Sequence, residues 1–123
     1  MDLIFVRGLR VEAIIGILPH ERVTPQPLVL DLDLAADIVT PAASGDIGDA
    51  LDYKALVDAV RALVAESEEY LIETLAERVC AFVRAEFGVP WLRLSLHKPE
   101  AILGETDIGV VIERGTRPAP AEP

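Results

Sequence analysis

In this chain of 123 residues, Lys98 is the residue whose type and position most clearly suggest a chemical role. It follows the segment "WLRLSLH", in which leucines alternate with other residues at the period of two that is typical of a β-strand. Lys98 takes the next position on the leucine face, and Pro99 is expected to end the strand because it has no N–H to donate. The pattern fits a strand-end lysine whose ammonium reaches water. It also fits a partly desolvated amine that transfers protons at a pocket.

Two carboxylates and a tyrosine could serve the same chemistry. Glu73 lies in the first turn of a predicted helix, where the helix dipole alone favours an acid. Its carboxylate could also accept two parallel hydrogen bonds from the amino and ring N–H edge of a pterin or guanine. Glu21 fits a solvated loop residue as well as a functional one. Tyr53, at the start of another predicted helix, fits a packing residue with an exposed hydroxyl as well as a proton donor.

The elements that position these residues follow from the hydrophobic pattern. It predicts strands at residues 4–17, bent at a glycine, and at 28–37, 91–98 and 108–114, and helices at 53–65 and 71–87. Asp52 is the expected N-cap of the first helix, and Gly88 the expected C-cap of the second. The proline-rich residues 18–27 are expected to form a loop, and residues 40–49 a connector rich in turns.

This element order predicts an α+β fold, in which one four-stranded antiparallel sheet carries two helices on one face. We expect a single domain at residues 1–115 and a disordered Pro/Ala-rich tail at residues 116–123. Few prolines or lysines interrupt the strands at the sheet edges. Pairing of these edges with another subunit is therefore expected, since exposed edges invite association.

The composition excludes several classes of protein. The formal net charge of −10 disfavours binding to nucleic acid or to an anionic membrane. Cys80 is the single cysteine, so neither an internal disulfide nor a multi-cysteine zinc site is expected, and the sparse histidines argue against other metal sites. No apolar run is long enough for a transmembrane helix, and the first residues do not resemble a signal peptide. These features predict a soluble cytoplasmic domain without a bound metal.

Four segments together resemble landmarks of the dihydroneopterin aldolase family: "GILPHER", "ALDYKAL", "LIETLAERV" and "LHKPEAI". "MDLIFVRGLRVEAIIGI" and "DIGVVIERG" resemble the terminal strands of that family. The resemblance covers residues 1–115. It implies the tunnelling fold (ββααββ), in which four subunits join their sheets into a barrel and two such rings form an octamer. It also implies active sites between neighbouring subunits and a reaction that needs no cofactor, metal or Schiff base.

The activity that the resemblance implies is a retro-aldol lyase reaction of folate biosynthesis. The substrate would be 7,8-dihydroneopterin and the products 6-hydroxymethyl-7,8-dihydropterin and glycolaldehyde, with epimerisation at the 2′ carbon as a second activity. Glu73 matches the pterin anchor and Lys98 the general acid/base. Glu21 matches a glutamate near the substrate side chain and an ordered water, and Tyr53 a residue from the adjacent subunit that assists protonation of the intermediate. Leu51 and Ile72 would line the pterin slot.

Several other activities share parts of this pattern. A dihydroneopterin triphosphate epimerase has the same fold, but it needs basic residues for the triphosphate, and the arginines here are scattered. A non-catalytic pterin-binding module would keep Glu73 and lose proton transfer. An oxygenase of the family typically replaces the tyrosine found here as Tyr53, and a zinc cyclohydrolase is disfavoured by the single cysteine. Ala50 departs from relatives that carry a hydroxyl residue at that position, and Pro19-His20 is a local variation.

Overall fold

The computed structural model describes residues 1–102 and 106–119. Its strands are β1 (Leu3–Ala13), β2 (Gln26–Ala35), β3 (Trp91–Ile102) and β4 (Thr106–Gly115), and its helices are α1 (Val39–Ser44), α2 (Tyr53–Glu66) and α3 (Ile72–Phe87). Single 3-10 turns occupy Pro19–Arg22 and Ile47–Asp49. Residues 116–119 of the predicted tail have no regular secondary structure. Residues 120–123 of that tail lie outside the described part of the chain.

The four strands form one antiparallel sheet in the order β1-β2-β3-β4, as the fold class predicted. The leucines of β2 stand opposite those of β3, with Leu30 beside Leu96 and Leu32 beside Leu94. These side chains are fully buried, and α2 and α3 pack on the face that they form. The opposite face carries the polar residues of the alternating pattern, so one face of the sheet is buried and the other is not.

The bend predicted at Gly8 is present as a register shift in the pairing of β1 with β2, between Val6 and Leu9. Gly8 has φ 68°, a left-handed conformation that a glycine adopts without steric cost. The backbone N–H of Gly8 donates to Oδ1 of Asp31 at 2.7 Å, which satisfies a group that the bulge removes from the ladder. β1 ends at Ala13, four residues before the predicted end, because the chain then turns into the wall of a pocket.

Both long helices begin and end close to the predicted positions. The Asp52 side chain accepts a hydrogen bond from the Ala55 backbone N–H and caps α2. Gly88, with φ 64°, provides the left-handed C-cap of α3. Within residues 1–102 and 106–119, none of the helices is long and apolar enough to cross a membrane.

Two predictions about local structure were wrong. Pro99 does not end β3, which continues to Ile102. The pairing of β3 with β2 ends at His97, so no neighbour on that side requires the missing N–H, and the pairing with β4 changes register beyond Lys98. The predicted connector 40–49 also contains the short helix α1, which Gly45 ends in a left-handed conformation.

Candidate active site

A pocket of about 430 Å³ lies where the loop after β1, the start of α3 and the end of β3 meet. Glu21, Ile72, Glu73 and Lys98 line it, so the fold brings together four of the six predicted site residues. Glu21 and Lys98 are 77 positions apart in the sequence. The antiparallel sheet places the loop after β1 at the same end as the last residues of β3, and this arrangement joins them.

Lys98 and Glu21 form an ion pair inside this pocket. Nζ of Lys98 donates to Oε2 of Glu21 at 3.1 Å. The lysine side chain is 18% exposed and the glutamate side chain 11%, so water screens the pair only weakly. The ammonium of Lys98 therefore does not extend freely into solvent, as a simple strand-end lysine would. It is held at a defined point on the pocket wall.

The Glu21 carboxylate is also held by two neutral donors. The backbone N–H of Leu18 donates to its Oε1 at 3.1 Å, and Nε2 of Gln26 donates to its Oε2 at 3.0 Å. The hydrogen bond from Gln26 is the largest influence on the Glu21 pKa, and with those from Leu18 and Lys98 it outweighs desolvation and lowers the pKa from 4.5 to about 2. At neutral pH, Glu21 is therefore a carboxylate that accepts hydrogen bonds.

Gly16 allows the carboxylate to reach this position. A β-carbon built on Gly16 would lie 2.5 Å from Oε1 of Glu21 and closer still to Cδ and Oε2. Real β-carbons essentially never come that close to another atom. Gly16 also has φ 121°, which side-chain-bearing residues rarely adopt. The glutamate therefore packs directly on the backbone at Gly16.

Glu73 and Ile72 line the same pocket as this ion pair. Ile72 is the first residue of α3 and is buried, whereas Glu73 is exposed in the first turn. The free N–H groups of a first turn favour a negative charge there. An apolar contact thus lies beside a carboxylate that can accept from two adjacent N–H donors, which suits the edge of a flat heterocycle.

Tyr53 and Leu51 do not line this pocket. Tyr53 is 59% exposed at the start of α2. Leu51 lines a separate cavity of about 520 Å³, together with Asp37, Asp49 and Phe87. Neither Glu21 nor Lys98 reaches that cavity. The fold of a single chain therefore does not bring all six predicted residues to one place.

The family model described as "FolB: Dihydroneopterin aldolase" matches residues 4–113. The chain belongs to the dihydroneopterin aldolase family. The family predicted from the sequence is thereby confirmed, and with it the activity class, a lyase of folate biosynthesis.

Members of this family are similar to the chain along nearly its whole length. The dihydroneopterin aldolase of Escherichia coli K12 is 36% identical over 115 residues, which cover 94% of both chains. A putative dihydroneopterin aldolase from Vibrio cholerae is 39% identical, with a TM-score of 0.91 over 94% of this chain and 98% of its own. The E. coli enzyme in complex with neopterin gives a TM-score of 0.89 at 36% identity, over 94% of this chain and all of its own.

Gln26 and Gly16 are two residues around the Glu21 carboxylate that were not predicted from the sequence. Gln26 begins β2, and no period or spacing distinguishes it from the polar residues around it. Gly16 lies just before a proline-containing loop, so it could have been recognised as a position that requires an unusual backbone angle. In the described part of the chain, no group of three or more His, Cys, Asp or Glu side chains is arranged to hold a metal ion.

Proposed function

We propose that this pocket cleaves 7,8-dihydroneopterin by a retro-aldol reaction to 6-hydroxymethyl-7,8-dihydropterin and glycolaldehyde, with Glu21, Glu73 and Lys98 in the roles predicted above. The observation that carries the proposal is the shielded Lys98–Glu21 ion pair, with its 3.1 Å contact, on the wall of a pocket that Glu73 also lines. Such a pair keeps an amine at a fixed point beside a bound substrate.

Glu73 anchors the pterin ring in this proposal. Its carboxylate accepts hydrogen bonds from the amino group and from N3–H, while Ile72 packs on the ring. A pocket of about 430 Å³ has room for a bicyclic ring with a short polyol side chain. The structure of the E. coli relative in complex with neopterin supports a ligand of this type.

The bond between C1′ and C2′ of the side chain breaks in the chemical step. The proton of the 2′-hydroxyl passes through a water to N5 as the C2′ carbonyl of glycolaldehyde forms and the bonding electrons flow into the ring as far as N5. C1′ then takes up a proton while N5 releases its own, which restores the C6=N5 bond and completes the hydroxymethyl group. Lys98, through a water, carries protons and stabilises charge at N5, and the Glu21 carboxylate holds Lys98 and accepts a hydrogen bond from the side-chain hydroxyls.

Epimerisation follows from the same intermediate. Glycolaldehyde that rotates before it leaves the pocket can add back to C1′ of the intermediate through the other face of its carbonyl. This addition inverts C2′ and yields the monapterin form. The proportion of the two outcomes is set by how fast the aldehyde adds back to C1′ relative to its escape and to the protonation of C1′.

A neighbouring subunit completes the site in this proposal by supplying Tyr53 and Leu51. The exposure of Tyr53 and the location of Leu51 outside the pocket support this arrangement. The outer strands also leave Phe5 of β1 64% exposed and Val111 of β4 55% exposed, as expected for a sheet that continues into another subunit. A four-subunit ring, stacked into an octamer, should appear in light scattering, and a monomer at micromolar concentration would contradict it.

The charge of the pocket disfavours the triphosphate epimerase. Among the described residues that line it, Lys98 carries the single positive charge, whereas Glu21 and Glu73 are both acidic. A triphosphate would meet two carboxylates and only one ammonium, which is already paired.

Product identification tests the proposed function directly. The protein is incubated separately with 7,8-dihydroneopterin and with its triphosphate, and the products are identified by chromatography and mass spectrometry. We expect glycolaldehyde and 6-hydroxymethyl-7,8-dihydropterin from the first substrate. Turnover of the triphosphate alone would favour the epimerase, and tight binding of dihydroneopterin without products would favour a binding module.

A further inference from the structure

Arg22 connects two segments that line the pocket, although its own side chain does not line it. Its Nη1 donates to the backbone carbonyl of Gly16 at 3.0 Å and to that of Glu69 at 3.2 Å. Its Nη2 donates to the carbonyl of Glu68 at 2.7 Å. The guanidinium carbon lies 4.0 Å from the centroid of the Tyr70 ring. One half-buried side chain thus contacts both the loop after β1 and the linker between α2 and α3.

These two segments carry the two halves of the proposed site. The loop after β1 contains Glu21, and the linker runs directly into Ile72 and Glu73 at the start of α3. Apart from Arg22, the backbone link between the two segments is a long hydrogen bond of 3.4 Å from the N–H of Gly16 to the carbonyl of Glu69. A planar guanidinium can reach several carbonyls and stack on a ring at once, which a single weak hydrogen bond cannot replace.

We propose that Arg22 is a positioning residue. It fixes the linker that leads to Glu73 relative to the loop that carries Glu21, and so sets the affinity for the pterin ring. This inference rests on the proposed function. Two of the three carbonyls that Arg22 holds belong to the linker that leads to Glu73, whereas the Glu21 carboxylate keeps its own bonds to Leu18, Gln26 and Lys98. Loss of Arg22 should therefore weaken binding far more than it slows the chemical step.

Three variants test this role. Arg22→Met removes all the hydrogen bonds of the guanidinium while keeping an apolar stem, and Arg22→Lys keeps the charge without the planar guanidinium. Arg78→Met is the matched control, because Nη1 of Arg78 donates to Oε1 of Glu69 in the same linker at 2.9 Å, a bond that does not involve the loop after β1. The measurements are neopterin affinity by calorimetry, KM and kcat with 7,8-dihydroneopterin, and thermal unfolding.

We expect Arg22→Met to weaken neopterin binding by at least about tenfold, the equivalent of one hydrogen bond from a charged group. KM should rise in parallel, while kcat stays within about threefold of the wild type. Arg22→Lys should have an intermediate affinity, and Arg78→Met should stay within about twofold of the wild type. If Arg22→Met does not fold, Arg22→Lys must still weaken binding by at least about threefold.

Other results would overturn the role of Arg22. These are unchanged affinity in a folded Arg22→Met, an equal loss in Arg78→Met, or a fall in kcat with KM unchanged. The wild-type measurements separate this inference from the proposed function. A wild-type protein that neither binds neopterin nor cleaves dihydroneopterin overturns both, whereas a functional wild type with an unaffected Arg22→Met overturns the inference alone.

Discussion

Replacement of Gly16 by alanine should damage catalysis more than it damages folding. The added β-carbon would lie 2.5 Å from Oε1 of Glu21, which falls 0.9 Å short of the 3.4 Å at which ordinary contact begins. The carboxylate must therefore move by about 1 Å, and a displacement of that size in the group that holds the Lys98 amine can lower the rate by about 10²-fold. The movement loosens its bonds to Leu18, Gln26 and Lys98. Backbone strain at φ 121° adds a destabilisation of about 1–3 kcal/mol.

Gly45→Ala separates these two effects. Gly45 also has a left-handed backbone, with φ 65°, but a β-carbon there would meet no atom within 4 Å. The Gly45→Ala variant should therefore have a free energy of unfolding about 1–2 kcal/mol lower than the wild type and an unchanged turnover. Single-turnover cleavage of 7,8-dihydroneopterin and urea denaturation of both variants provide the comparison. Turnover of Gly16→Ala within about threefold of Gly45→Ala would refute the reasoning that packing of Glu21 on this glycine positions it for catalysis.

Four further predictions concern the proposed site. Lys98→Met should assemble normally and lower the single-turnover rate by about 10²–10⁴-fold, and Lys98→Arg should not restore it because a guanidinium stays protonated; a near-normal rate for Lys98→Met would exclude the acid/base role. Glu73→Ala should weaken neopterin binding at least about tenfold in calorimetry, and unchanged affinity would show that the anchor lies elsewhere. Tyr53→Phe should slow both cleavage and epimerisation with little change in neopterin affinity, since only a hydroxyl is lost; unaffected turnover would remove the tyrosine from the mechanism. Because the pKa of Glu21 is lowered from 4.5 to about 2, its contribution to stability, at most about 3 kcal/mol, is present above pH 4.5 and is lost as the pH falls towards 2. The difference in free energy of unfolding between wild type and Glu21→Gln should shrink over that window, and a constant difference would contradict the lowered pKa.

The sequence alone determined the secondary structure and fold class well because both depend on local patterns. Alternating leucines in β2 and β3 place apolar side chains on one face of a strand whatever the rest of the chain does. Asp52 and Gly88 terminate helices through bonds and backbone angles within a few residues. The resemblance to dihydroneopterin aldolases likewise rests on short segments whose order is visible in one dimension. Pro99 was misread because the pairing of β3 with its neighbours decides where that strand ends, and α1 because Ile38 at its N-cap supplies no side-chain capping bond that the sequence could reveal.

Only the tertiary structure decided which of the candidate residues meet. Lys98 and Glu21 are 77 positions apart, and no spacing rule connects them before the sheet folds. Gln26 and Gly16 act on the Glu21 carboxylate through a side-chain bond and a close packing contact, both of which exist only once the loop after β1 closes. The separation of Tyr53 and Leu51 from this pocket also has no counterpart in the sequence. Local periodicity specifies which face of an element is buried, whereas distances between side chains on different elements depend on how the whole chain packs.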